Sequence, residues 1–104
     1  MKFLVFAMND VAKMADVAQA WDKIQANPPA GTKTLATYIC QGIPFAGTVP
    51  PNATVGISVV EAESNEAIAT NTYPMALAGA TVWYVPVLEI PAGRGAQTEK
   101  QFRG

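Results

Sequence analysis

Histidine is absent from this chain, and cysteine occurs once, at Cys40. The absence of histidine removes the commonest general base and the commonest metal ligand of proteins. A single cysteine forms no disulfide within the chain, which favours a reducing compartment. Charged residues make up only 14% of the sequence, yet no uninterrupted apolar run is long enough to cross a membrane. We therefore expect a soluble, cytoplasmic protein that uses no metal and no cofactor and does not bind a membrane.

Length and charge point to one domain followed by a short tail. The 104 residues suffice for a single domain, and half of them are hydrophobic, enough to build a core without disulfides. Four lysines against seven carboxylates give residues 1–90 a net charge of −3, whereas three basic residues against one glutamate give residues 91–104 a charge of +2. Neither value is typical of a nucleic-acid-binding protein. We interpret 1–90 as the domain and 91–104 as a flexible C-terminal tail.

Hydrophobic patterning predicts four strands and two helices. Strands are predicted over 2–8, 34–41, 54–60 and 81–90, and an amphipathic helix over 11–26. A second helix begins after Ser64, a good N-cap, and Pro74 is expected to kink or restart it. Residues 42–52, GIPFAGTVPPN, form a long Gly/Pro loop. The resulting β-α-β-β-α-β order is the ferredoxin-like pattern of the α+β class, a four-stranded antiparallel sheet with both helices on one face.

The last predicted strand, TVWYVPVLEI, is apolar on both of its faces. Helices cover only one side of such a sheet, and leaving the other side in water forfeits about 25 cal/mol for each Å² of apolar surface. Two sheets packed face to face in a homodimer solve this problem, so Val85 and Val87 are predicted to lie in a dimer interface. The proline in this strand then marks an edge position or a bulge, where the ladder needs no N–H donor.

Four segments carry a resemblance to a known family. They are the N-terminal MKFLVF, the NPPAGTK before strand two, the VVEAESNEA turn into the second helix and the closing VPVLEI. With them the chain resembles a family of small uncharacterised proteins in the dimeric α+β-barrel superfamily. The resemblance covers residues 1–90 and implies a homodimer whose sheets enclose a shared space. The superfamily includes cofactor-independent monooxygenases, muconolactone-isomerase-like enzymes, haem-degrading enzymes and ligand-binding regulatory domains.

This chain departs from that pattern in two ways. It lacks the histidine that some members use as a ligand or base, and its 42–52 loop is longer than expected for the family. Such a loop is long enough to cover a pocket or reach a partner.

The candidate ligand contacts are Tyr38, Cys40, Asn71 and Trp83, which would supply a few polar groups to an otherwise apolar pocket. Each also has a plainer interpretation: Cys40 as a small buried hydrophobe, and Tyr38 as a packed side chain with one satisfied hydroxyl. Glu61 and Glu63 are more typical of a surface turn than of a metal site. We expect a module that binds a small apolar molecule between the two sheets. A cofactor-independent oxygenase or isomerase is the second hypothesis, and a purely structural dimerisation module is the third.

Overall fold

Four strands form one antiparallel sheet. The computed structural model of the chain describes residues 1–42, 47 and 49–104. The strands are β1 (Lys2–Asp10), β2 (Thr32–Ile39), β3 (Ala53–Ala62) and β4 (Thr81–Val87), and their order across the sheet is β2-β3-β1-β4. β1 therefore lies inside the sheet and pairs with both β3 and β4. β4 is an edge strand, which explains how it accommodates Pro86 without losing a ladder hydrogen bond.

The first helix follows β1 directly. Asp10 caps a short 3₁₀ turn over Val11–Lys13, because its side chain accepts a hydrogen bond from the backbone N–H of Ala12 at 2.8 Å. α1 then runs over Met14–Ala26. It ends just before the two consecutive prolines at 28 and 29, which disfavour further helix.

The second helix, α2 (Asn65–Leu77), begins at the expected cap. The Ser64 hydroxyl accepts a hydrogen bond from the backbone N–H of Ala67 at 3.1 Å. The predicted restart at Pro74 is wrong, because α2 is one helix with Pro74 inside it. Proline at this position removes the donor to the carbonyl of Thr70, but Thr70 is exposed and water can satisfy that carbonyl. Gly79 lies in the turn between α2 and β4, and its φ angle is 112°, a conformation that favours glycine.

Both long helices pack on the same face of the sheet. One apolar cluster joins Val17 and Ile24 of α1 and Ile68 and Met75 of α2 to the strand residues beneath them, Phe3, Val5, Val60 and Ala62. Trp21 packs against this cluster, as its place in the helical stripe predicts. We call this side of the sheet the helix face and the opposite side the outer face. Because strand side chains alternate, Leu4, Phe6 and Met8 of β1 lie on the outer face.

The chain after β4 contains a helix that the sequence analysis does not predict. A third helix, α3, spans Gly95–Arg103, and none of its side chains is buried. Its sequence explains the helix, since most of its residues are good helix formers and Arg103 pairs with Glu99 one turn earlier. Within the described residues, no helix is both long and apolar enough to cross a membrane. Most of the central part of the predicted 42–52 loop, residues 43–46 and 48, lies outside the described residues.

Candidate ligand cavity and outer sheet face

A cavity of about 310 Å³ lies between α1 and the helix face of the sheet. Its volume falls at the lower end of the range typical of small-molecule sites. The α1 residues that line it are Met14, Val17, Ala18, Trp21 and Asp22, and Met75 of α2 contributes at the side. From the sheet come Val5, Ala7, Asn9, Thr37, Tyr38, Ile39, Gly56 and Ser58. The lining is therefore largely apolar, with a few polar groups.

Strand register explains why side chains do not fill this space. Ala7 of β1 pairs directly with Gly56 of β3, so two very small residues stand side by side under α1. Gly56 in turn pairs with Ile39 of β2. A methyl group and a hydrogen atom leave room that larger residues would fill. A Cβ at Gly56 would meet only the Ile39 side chain at 3.6 Å and the Tyr38 carbonyl at 3.7 Å, which are ordinary contacts.

The polar groups of the cavity come mainly from two rows of the sheet. Thr37 and Ser58 face each other across β2 and β3, and their hydroxyl oxygens are 3.2 Å apart. Asn9 lies at the far end of β1 and is buried. Its side-chain nitrogen donates hydrogen bonds to the Asp10 carbonyl at 2.9 Å and to the Thr54 hydroxyl at 3.1 Å. Asp22 is exposed and is the one charged residue among the described residues that line the cavity.

Three of the four predicted ligand contacts lie on the other side of the sheet. Tyr38 and Trp83 belong to one cross-strand row of the outer face, in which Ile57 and Phe6 stand between them. Tyr38 and Trp83 lie on the two edge strands, three strand spacings or about 14 Å apart, so their side chains do not meet. Cys40 follows β2 on the same face, with its backbone N–H bonded to the Val55 carbonyl at 2.9 Å. Tyr38 borders the cavity, although its side chain belongs to the outer face.

The fourth predicted contact, Asn71, is separate from the other three. It lies on α2 and is only 1% exposed. Its side-chain carbonyl oxygen is buried and has no hydrogen-bond partner among the described residues. Asn71 stands one helical turn before Met75, which lines the cavity, so the two share a face of α2.

The outer face is apolar along three of its cross-strand rows. The β1 residues of these rows are Leu4, Phe6 and Met8, and their β3 partners are Val59, Ile57 and Val55. Phe6 is 8% exposed and stacks on Trp83, with ring centroids 5.1 Å apart and the rings nearly parallel. Val85 and Val87, the predicted interface residues, are 46% and 37% exposed on the same face. The open part of the outer face therefore lies toward the end of β4.

A charged row borders this open part. Lys2 of β1 pairs with Glu61 of β3 and Val87 of β4, and its ammonium group forms an ion pair with Glu89. The hydrogen bond between the two side chains raises the pKa of Lys2 above its ordinary 10.5 and lowers the pKa of Glu89 below its ordinary 4.5. Both groups are therefore ionised across the neutral range. The pair stabilises the fold there and stops doing so in acid, as Glu89 gains its proton, and in strong base, as Lys2 loses its own.

Sequence reasoning missed the cavity, although one signal was present. A glycine inside a strand, such as Gly56 in TVGISVV, often marks a place where side-chain volume is missing. The second small residue, Ala7, becomes significant only through its pairing with Gly56. That pairing joins positions that are far apart in the chain, so no local pattern indicates it.

The comparisons with known proteins assign no family. No model of a protein family matches the chain, and no curated protein matches it. Among solved structures, the chain is similar to a DUF3240 family protein from Shewanella baltica OS155, at a TM-score of 0.48 and 9% sequence identity. The similarity covers 85% of this chain and 91% of that one. A likeness of this strength carries no functional assignment, so the functional argument depends on the geometry of the chain itself.

Proposed function

We propose that this protein binds a small, largely apolar molecule in the cavity between α1 and the sheet. The observation that carries the proposal is the pairing of Ala7 with Gly56 beneath α1, which leaves about 310 Å³ of space lined by apolar side chains. The Thr37 and Ser58 hydroxyls supply the few polar contacts that such sites use to orient a ligand. This proposal moves the ligand from the space between two sheets, where the sequence alone places it, to the helix face of each chain.

Filling the cavity tests the proposal. N-phenyl-1-naphthylamine is an uncharged probe whose fluorescence rises in apolar surroundings, and we expect it to bind the wild-type protein. Ala18→Phe and Gly56→Val both add side-chain volume to the lining, and each should weaken probe binding at least about tenfold, the equivalent of 1.4 kcal/mol. Ala15→Phe is the matched control, because Ala15 is exposed on the same helix and does not line the cavity.

The outcomes separate clearly. Loss of binding in both filled variants, with the control unchanged, supports the cavity as the site. Folded variants that bind the probe as well as wild type would overturn it. Circular dichroism and thermal melting show which variants are folded. Because the two substitutions lie on different elements, one variant still tests the cavity if the other does not fold.

We also propose that the chain is a ferredoxin-like member of the dimeric α+β-barrel superfamily and forms a homodimer through its outer face. The antiparallel sheet, with both long helices on one side, supports the fold assignment. The apolar rows of the outer face and the exposure of Val85 and Val87 support the contact. Stable interfaces bury about 800 Å² on each partner, an area comparable to one face of a small sheet. Tyr38, Cys40 and Trp83 then belong to the interface rather than to the ligand site.

Aspartate on the open part of the outer face should separate the subunits. We expect Val85→Asp and Val87→Asp to convert a dimer of wild-type chains into folded monomers, because each buries a charge in an apolar contact. Val11→Asp is the control, since Val11 is also an exposed valine but lies in the 3₁₀ turn before α1. The measurement is molar mass by light scattering after size exclusion. A monomeric wild-type protein, or dimers that persist in both variants, would contradict the proposed interface.

An enzyme of the cofactor-independent oxygenase or isomerase type is the second candidate. The hydroxyl pair of Thr37 and Ser58 inside an apolar cavity favours it, because such chemistry needs a shaped pocket with a few polar groups. Turnover of a quinol by the wild-type protein, lost in Ala18→Phe and kept in Ala15→Phe, would establish it. Binding of the probe without turnover of quinols supports the binding function, and a protein without any cavity ligand would leave the purely structural hypothesis.

A further inference from the structure

We propose that the cavity selects its ligand by charge: it accepts a neutral or cationic molecule with an apolar ring or chain and an amine or hydroxyl group, and it rejects carboxylates. This inference rests on the proposed function, because it names the chemical class of the ligand that occupies the same cavity. It follows from the charges of the lining and from the hydrogen-bonding capacity that its polar groups retain.

The first observation concerns charge. In the part of the chain that the structure describes, Asp22 is the one charged side chain of the lining, and it is exposed beside Trp21, so it stands where the cavity meets solvent. The nearest lysine in sequence, Lys23, lies on a different surface of α1, in the groove between α1 and α2. A carboxylate without a cation among the other lining residues favours a positively charged or neutral ligand group and opposes a negative one.

The second observation concerns Asn9. Its side-chain nitrogen donates to the Asp10 carbonyl and the Thr54 hydroxyl and also contacts the Met14 sulfur at 3.6 Å. Among the described residues, none donates a hydrogen bond to the carbonyl oxygen of the same amide, which leaves it as an acceptor within a nearly buried side chain that lines the cavity. An acceptor in this position is matched by a ligand N–H or O–H, and not by a carboxylate oxygen.

The remaining polar groups are compatible with the same ligand. Thr37 and Ser58 can share one hydrogen bond in either direction, which leaves one hydroxyl hydrogen and several lone pairs for a ligand. Trp21, whose indole carries an N–H donor, is also part of the lining. An alcohol both donates and accepts, so it can satisfy these groups, whereas an ammonium group donates to the oxygen lone pairs and is attracted by Asp22. A carboxylate would find two neutral donors, and it would face Asp22.

Three probes with one ring system test the selection: 2-naphthylmethylamine, 2-naphthol and 2-naphthoate, which are cationic, neutral and anionic at neutral pH. By calorimetric titration at low salt, the amine and the alcohol should bind the wild-type protein and the carboxylate should bind at least about tenfold more weakly than the alcohol. Asp22→Asn should weaken the amine about fivefold, leave the alcohol unchanged and strengthen the carboxylate. The effect should fall at high salt, because Asp22 is exposed.

Asp16→Asn is the matched control. It removes the same charge from the same helix at a residue that lies in the α1–α2 groove and not in the cavity, so it should leave all three affinities as in wild type. Equal binding of alcohol and carboxylate, or an Asp22→Asn protein with unchanged preferences, would overturn the charge selection while the cavity itself stands. Absence of binding for all three probes, in a protein that also fails to bind N-phenyl-1-naphthylamine, would instead overturn the proposed function.

Discussion

Asn71 is a polar residue in the buried face of a helix. An asparagine among the apolar positions of a helix suggests a polar contact in a pocket, and Asn71 does lie near the cavity. Its carbonyl oxygen, however, is buried without a partner among the described residues. Leaving such a group unpaired costs about 1–3 kcal/mol. The residue therefore carries a cost in the isolated chain that no sequence pattern indicates.

Replacing Asn71 tests this account at the scale of one residue. We expect Asn71→Leu, which keeps the branched shape without the polar atoms, to raise the free energy of unfolding by about 1 kcal/mol. Asn71→Asp should lower it, because Asn71 is only 1% exposed and a carboxylate buried there loses its hydration. Urea denaturation monitored by circular dichroism measures both. A leucine variant that loses 2 kcal/mol or more would mean that Asn71 makes a favourable hydrogen bond in solution.

Among the elements, the sequence predicts most accurately those with local signals. Alternating or continuous apolar residues locate all four strands, and the Ser64 cap fixes the start of α2. Such features depend on residues a few positions apart, so they can be read from the sequence. The strand ends are less accurate. β2, for example, begins at Thr32, two residues before the predicted start, because its pairing with β3 extends through Lys33 and Thr34.

In two elements, the rules that can be read from the sequence compete. Pro74 breaks helices, yet α2 continues through it because Ile68 and Met75 on either side of the proline anchor the helix to the core. The Gly-rich start of the last segment suggests a frayed tail, yet residues 95–103 have good helix propensity and a Glu99–Arg103 pair. Tertiary packing keeps α2 continuous through Pro74, and helix propensity forms the helix over residues 95–103.

At the scale of the whole molecule, the apolar character of the outer face can be read from the sequence, whereas the cavity cannot. The apolar residues on both sides of β4 predict two buried faces, and the structure places Trp83, Val85 and Val87 together opposite the helices. The cavity depends instead on register. A shift of one residue between β1 and β3 would separate Ala7 from Gly56 and put a larger side chain beneath α1. Register is a long-range property, so it becomes visible only when the strands are assembled.

The central claim is that a small apolar ligand occupies the cavity on the helix face. The most direct measurement is a titration of the ¹⁵N-labelled protein with 2-naphthol, followed by amide chemical shifts. We predict that the largest changes occur at residues around the cavity, such as Val17, Trp21 and Ser58, with little change at Val85 and Val87. Changes concentrated on Trp83, Val85 and Val87 would place the ligand on the outer face instead, and a spectrum unchanged by saturating naphthol would contradict the claim outright.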